Sequence, residues 1–293
     1  MTERRSPTIR RRRLGLELRR HREAAGVTID YVAERLECSS SKISRIETGH
    51  TGATPRDVRD MLTLYGVRGD ECDELIQIAR DARLKGWWHP YSQVLTGAYV
   101  GLEAAAESVR EYTQQVVPGL LQTEEYAKAM IRAARPDISP EEVDRRVSVR
   151  MARQSLLEAD DPVNLWVVLD EAVVSRPVGG DAVMRRQLEH LVEAADLPSV
   201  TLQLLPFEAG AHAGMDGTFA ILNFPEPADA DVVYAENATG GLFLEKTEEL
   251  RKYRFIFDHI RAAALGPEES ISLIARLAKE PLWKSRARGP GWT

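Results

Sequence analysis

Cysteine is nearly absent from this chain: 293 residues hold two, Cys38 and Cys72. Two thiols exclude a disulfide framework and a four-cysteine metal site, and Cys38 suits a small packing role within a helical turn. No apolar run is long enough to span a bilayer, and the N-terminal arginines lack the apolar segment that a signal peptide would place after them. The expected compartment is therefore the cytosol. Signatures that name a reaction are missing as well, with no HExxH, no Walker-type phosphate loop, no GxGxxG and no nucleophile elbow. No catalysis, cofactor or metal is expected. The polar residues that would test this are Asp170, Glu171, His212, Asp216, Glu236 and His259, since His and carboxylates at strand ends can bind a metal or move protons. Glu171 and Asp181 serve equally well as helix caps or first-turn charges.

Charge is present but unevenly placed. Up to Gly66 there are 14 Lys and Arg against 9 Asp and Glu, whereas the remainder has 25 against 36. A basic head on an acidic body favours contact with a polyanion through the head alone. Arg10, Arg11, Arg12 and Arg13 run into the first helix and are expected to touch nucleic acid, while Arg4 and Arg5 read as a solvated tail.

Residues 28–49, TIDYVAERLECSSSKISRIETG, read as two short amphipathic helices around a tight turn. Thr28 can cap the first, whose apolar side is Ile29, Val32, Ala33 and Leu36, and Glu37-Cys38 make the turn. Ser39 can cap the second, with Ile43 and Ile46 inward and Ser40, Ser41, Lys42, Ser44 and Arg45 outward. Short donors near a helix N-terminus suit phosphate, and an arginine reaches a guanine edge or the backbone, so the second helix is equipped for a DNA major groove. A preceding helix (Leu14, Leu18 and His21 on one side, ended by Gly26) and a following one capped by Thr54 with Pro55 and Asp57 complete a helical DNA-binding head.

The expected organisation is an all-α helix-turn-helix N-terminal domain over 1–85, a linker over 86–100, a mixed α+β domain over 101–280 and a tail over 281–293. Trp87-Trp88 lies in the linker and can pack it onto a neighbouring domain or stack on bases. Helices are expected over 102–117, from Thr123 to Arg135, from Ser139 past Leu157, over 181–195, 245–265 and 267–279. Strands are expected over 163–169, 200–205, 218–224 and 231–235, the first two joined in parallel through a helix and the later ones added antiparallel. The row Arg145, Arg146, Arg150 and Arg153 reads as a solvated face or as a site for an acidic partner or phosphate.

The head resembles the xenobiotic-response-element type of helix-turn-helix domain, through Leu18-Arg19, Gly26-Val27-Thr28, Val32-Ala33, Leu36, Ser39 and the run from Ser41 to Gly49. The remainder resembles the C-terminal domain of actinobacterial antitoxin-like regulators, through the run from Val117 to Thr123, Tyr126-Ala127, Arg153-Gln154, Asp170-Glu171, Gly179-Gly180, the run from Met184 to Leu188, and Tyr234-Ala235-Glu236. The resemblance implies a bacterial transcriptional regulator that binds double-stranded DNA and often works with a small protein encoded beside it; a homodimer is expected because one short head makes too few contacts alone and paired heads reach two half-sites. The alternative is an interaction protein that sequesters that neighbour or senses a small molecule. On this likeness Ser40, Ser41, Lys42 and Arg45 meet DNA, with Thr28 and Ser39 near phosphates. Ile29 and Ser40 stand where glutamines are frequent, and Glu37 stands at the usual turn glycine, so either its backbone is left-handed or the turn is built differently.

Overall fold

The computed structural model describes residues 7–83, 99–226, 229–237, 240–281 and 283. These fall into two compact units: 7–83 with 99–105, 225–226 and 229–230, and 106–224 with 231–237, 240–281 and 283. The paired tryptophans, Arg4 and Arg5 lie outside the described residues, as does nearly all of the expected linker and tail. No described helix is long and apolar enough to cross a membrane.

The first unit is all-α. Helices α1 (Pro7–Ala24), α2 (Ile29–Arg35), α3 (Ser40–Glu47), α4 (Pro55–Tyr65) and α5 (Asp70–Asp81) surround one core, and α6 (Tyr99–Glu103) packs on α1. That core holds Leu14, Leu18, Val32, Ala33, Ile43, Ile46, Val58, Met61, Leu62, Tyr65, Leu75, Ile76 and Ala79, the apolar side of each helix turned inward. Thr54 and Asp57 cap α4 reciprocally, as their spacing foretells.

The second unit joins a six-stranded sheet to helices. Its strands are β1 (Ser108–Thr113), β2 (Asn164–Asp170), β3 (Val200–Leu205), β4 (Phe219–Asn223), β5 (Val232–Asn237) and β6 (Gly240–Leu244), in the order β3-β2-β1-β4-β5-β6. β1 with β2 and β2 with β3 are parallel, and β4, β5 and β6 add antiparallel. The helices are α7 (Glu124–Ala134), α8 (Pro140–Arg153), α9 (Ser155–Glu158), α10 (Glu171–Ser175), α11 (Asp181–Ala194), α12 (Thr247–Ala263) and α13 (Pro267–Lys279). Tyr112, Val168, Phe219, Ile221 and Val233 of the sheet bury themselves against Leu250, Phe257 and Ile260 of α12.

The fold class holds: a helical head followed by a mixed α+β domain. One element is corrected. The helix expected over 102–117 is a short helix followed by β1, which pairs on both sides near the middle of the sheet. Leu102, Ala105, Ala106, Val109 and Tyr112 are buried at intervals of three and four, which imitates a helical period, but pairing with β2 and β4 decides the conformation. Strand β6, with its two leading glycines, was not expected. Within the tail, Trp283 donates to Asp181 at 3.0 Å in the first turn of α11.

Candidate nucleic-acid interface

The α2–α3 pair forms as its caps dictate. Thr28 Oγ1 accepts from the Tyr31 amide at 3.2 Å and Ser39 Oγ from the Lys42 amide at 3.2 Å, each satisfying a donor at a helix start. Between them Glu37 is left-handed (φ 51), the one non-glycine with a positive φ among the described residues. The Cys38 amide donates to Ala33 O at 2.9 Å and the Glu37 amide to Glu34 O at 3.1 Å, the crossed pair of a Schellman turn. Gly26 and Gly66 end α1 and α4 in the same way without a Cβ penalty. A left-handed residue bearing a Cβ costs about 1–2 kcal/mol, of which the greater unfolded-state freedom of glycine returns part. Glu37→Gly is therefore expected to stabilise the head by about 1 kcal/mol, seen as slower hydrogen exchange in α2 and α3. Unchanged or faster exchange would contradict the strain assigned to this turn.

The far end of α3 is fixed by a buried ion pair. Arg22 of α1 grips Glu47 with both ends of its guanidinium, Nε to Oε1 at 2.7 Å and Nη2 to Oε2 at 2.9 Å, and its third nitrogen donates to Val27 O at 3.1 Å. Glu47 is 4% exposed and Arg22 9%. The Tyr65 hydroxyl is buried beside this pair, and burial raises its pKa. Gly15 brings α1 still closer, because a Cβ there would lie 2.5 Å from Ile46 O and 2.7 Å from Glu47 O. These three residues escape sequence reading. Arg22 and Glu47 are too far apart in sequence for any spacing rule, and only a glycine inside an otherwise helical run hints at a close approach.

With Ile43 and Ile46 buried, Ser41, Lys42 and Arg45 of α3 are exposed, together with Thr28 and Ser39 at the two caps, while Ser40 and Ser44 are half-buried. The expected residues of α3 and of the two caps are thus exposed or half-buried, none of them in the core. Two carboxylates join them. Ser40 Oγ donates to Asp30 of α2, and Lys42 Nζ lies 3.0 Å from Asp57 of α4. Burial opposes the charge on Asp57, but the Thr54 hydroxyl and amide and the Lys42 ammonium outweigh it and hold its pKa below the ordinary value. Arg45 has no ion-pair partner among the described residues.

The four arginines of α1 meet α5 and the loop after α3. Arg10 pairs with Asp81 and Arg13 with Glu74 at 3.4 Å, both on α5. Arg12 covers Gly49 and Arg11 covers Gly52, in the loop that follows α3, and burial lowers the Arg11 pKa.

Residues 13–75 match the family described as a helix-turn-helix domain, a span that runs from within α1 to within α5. Residues 96–276 match a domain of unknown function (DUF5753), well over half of the chain. The chain belongs to the DUF5753 family. No curated protein and no solved structure matches it.

In the DUF5753 domain the Pro-Gly-Leu-Leu-Gln-Thr run is a buried hydrogen-bonding hub. Gln122 Nε2 donates to Val117 O at 2.6 Å, and its Oε1 accepts from Arg150 at 3.1 Å. Gln187 Nε2 donates to Leu121 O at 2.7 Å, and its Oε1 accepts from the Thr123 amide at 2.7 Å. Gly119 has Arg153 and Arg150 nitrogens within 3.5 Å of where a Cβ would stand. Arg150 and Arg153 of the arginine row therefore turn into the domain, whereas Arg145 and Arg146 pair with Glu142 on their own helix.

The polar residues of the DUF5753 domain separate into three places. Asp170 Oδ2 accepts from Tyr112 Oη at 3.5 Å and lies 3.9 Å from His212 Nε2, while its Oδ1 caps α10 through the Ala172 amide. Burial pushes Tyr112 up to about 12. Glu171 accepts from the Phe207 amide at 2.8 Å. Asp216 and Glu236 line a cleft of about 250 Å³ with Lys252 and Tyr253. His259 stands alone on the outer face of α12, stacked on Phe255. Among the described residues no three His, Cys, Asp or Glu side chains are placed to hold a metal ion.

Proposed function

We propose that the chain is a sequence-specific transcriptional regulator of the xenobiotic-response-element type that lays α3 in the major groove of double-stranded DNA. The helix-turn-helix match points to a DNA-binding regulator, and one observation carries the finer reading: a capped, core-locked α3 presents Ser41, Lys42 and Arg45 outward. Asp30 and Asp57 compete with DNA for Ser40 and Lys42, so base reading falls chiefly to Ser41 and Arg45. Thr28 and Ser39 hold phosphates at the two helix starts. In the α1 row, Arg10 and Arg13 are matched by α5 carboxylates, which weakens their claim to backbone contact.

The regulator acts in the cytoplasm as a homodimer, because one short head makes few contacts and paired heads reach two half-sites. It performs no catalysis and takes no cofactor. An antitoxin-like pairing with a small neighbouring protein follows from the resemblance, and the cleft beside Lys252 is where a small effector would sit if the domain senses one. Gel shifts with duplex DNA from upstream of its own gene test the reading. A shift at low salt that weakens steeply as salt rises is expected. No shift at low salt would refute it.

A further inference from the structure

The outer face of α12 carries a pattern that DNA binding leaves unused. Exposed Glu248, Arg251, Phe255, Asp258 and Ala262 follow one another at intervals of three and four, which sets them in one stripe along the helix. Phe255 is 61% exposed at the centre of that stripe. Leu242, 53% exposed, lines the cleft together with Lys252 and Ile256, the α12 neighbours of Phe255, and Met215, 66% exposed, lies between the cleft residues Gly214 and Asp216. A large exposed aromatic side chain flanked by charge and close to an open cleft suits an interaction surface.

We propose that a second copy of this chain docks here, the two α12 helices crossing antiparallel about a two-fold axis at Phe255. Residues on the same flank of the stripe, at similar distances on either side of Phe255, then face each other. Arg251 meets the second copy's Asp258, and symmetry makes the contact twice. A parallel pair would instead bring Arg251 level with Arg251 and Asp258 level with Asp258. Charge complementarity therefore selects both the occupant and the orientation. Arg251 and Lys252 have no ion-pair partner among the described residues, and Asp258 meets only Arg261 of its own helix, at 3.4 Å. The stacked aromatic centre with charged flanks has the anatomy of a dimer seam, with an apolar middle and a polar rim. This inference rests on the dimeric reading above and not on any base contact.

The mass of the full-length chain without DNA, by sedimentation equilibrium, tests it. The wild type is expected to be a dimer, and Phe255→Glu to weaken it at least tenfold. Arg251→Asp and Asp258→Arg each place two like-charge contacts in their own homodimer and are expected to be monomeric at the same concentration. Mixed in equal amounts they are expected to dimerise, since the mixed pair has two attractive contacts. All three substitutions are at exposed positions, and unchanged circular dichroism confirms that they fold. A monomeric wild type would overturn both this interface and the dimeric reading. A dimer indifferent to Phe255→Glu, or charge variants that fail to recover on mixing, would overturn the interface alone.

Discussion

Replacing Glu47 with alanine is expected to cost the head about 3–5 kcal/mol, because it strands the buried Arg22 guanidinium without its carboxylate. A domain of this size has about 5–15 kcal/mol of stability in total, so the variant head sits close to unfolding. Melting curves would mix two units; hydrogen exchange read peptide by peptide separates them. Amides of α1 to α4 are expected to lose about a hundredfold or more in protection, while those of the sheet keep theirs. Restoring an uncharged interior with Arg22→Met and Glu47→Leu together should recover most of the loss, since the harm comes from the orphaned charge and not from the absence of a bond. Equal losses in the single and double variants would show that the pair is itself the source of stability.

Arg45→Ala is expected to weaken binding to the preferred DNA by about 1–3 kcal/mol and to relax the sequence requirement at one position. Arg45 is exposed, the backbone of α3 is held by Ser39, Ile43, Ile46 and Glu47, and nothing in the core depends on its side chain. The loss is therefore one of affinity, without loss of fold. The direction of the change separates two roles. A base-reading arginine costs more on the preferred site than on random DNA, whereas a phosphate contact would cost the same on both and lower the salt slope by about 1. Equal loss on both would move base reading from Arg45 to Ser41 or Lys42.

The head was legible because its signals are local. Thr28, Ser39 and Thr54 each accept a bond from the third residue onward, as the cap spacing requires, and Glu37 takes one of the two backbones its position allowed. What stayed hidden depends on residues distant in sequence. Arg22 meets Glu47, Lys42 meets Asp57, and Arg10 meets Asp81, so outward-facing charges expected to be open for DNA are already matched within the head. The DUF5753 domain was legible where alternation or helical period stood alone, as in β2, α11 and β3. It misled at β1, where buried residues fall at helical intervals while neighbours on both sides impose a strand. Asp170 and His212 came together across the fold, yet Asp216, Glu236 and His259 did not join them.

The most direct test of α3 as the DNA-reading element is selection from random duplexes by the full chain, followed by sequencing of what is retained. Two half-sites about one helical turn apart are expected, with one position loosened when Arg45→Ala repeats the selection. A retained pool no different from the input, or the same site with the same affinity after Ser41, Lys42 and Arg45 are all replaced by alanine, would contradict it.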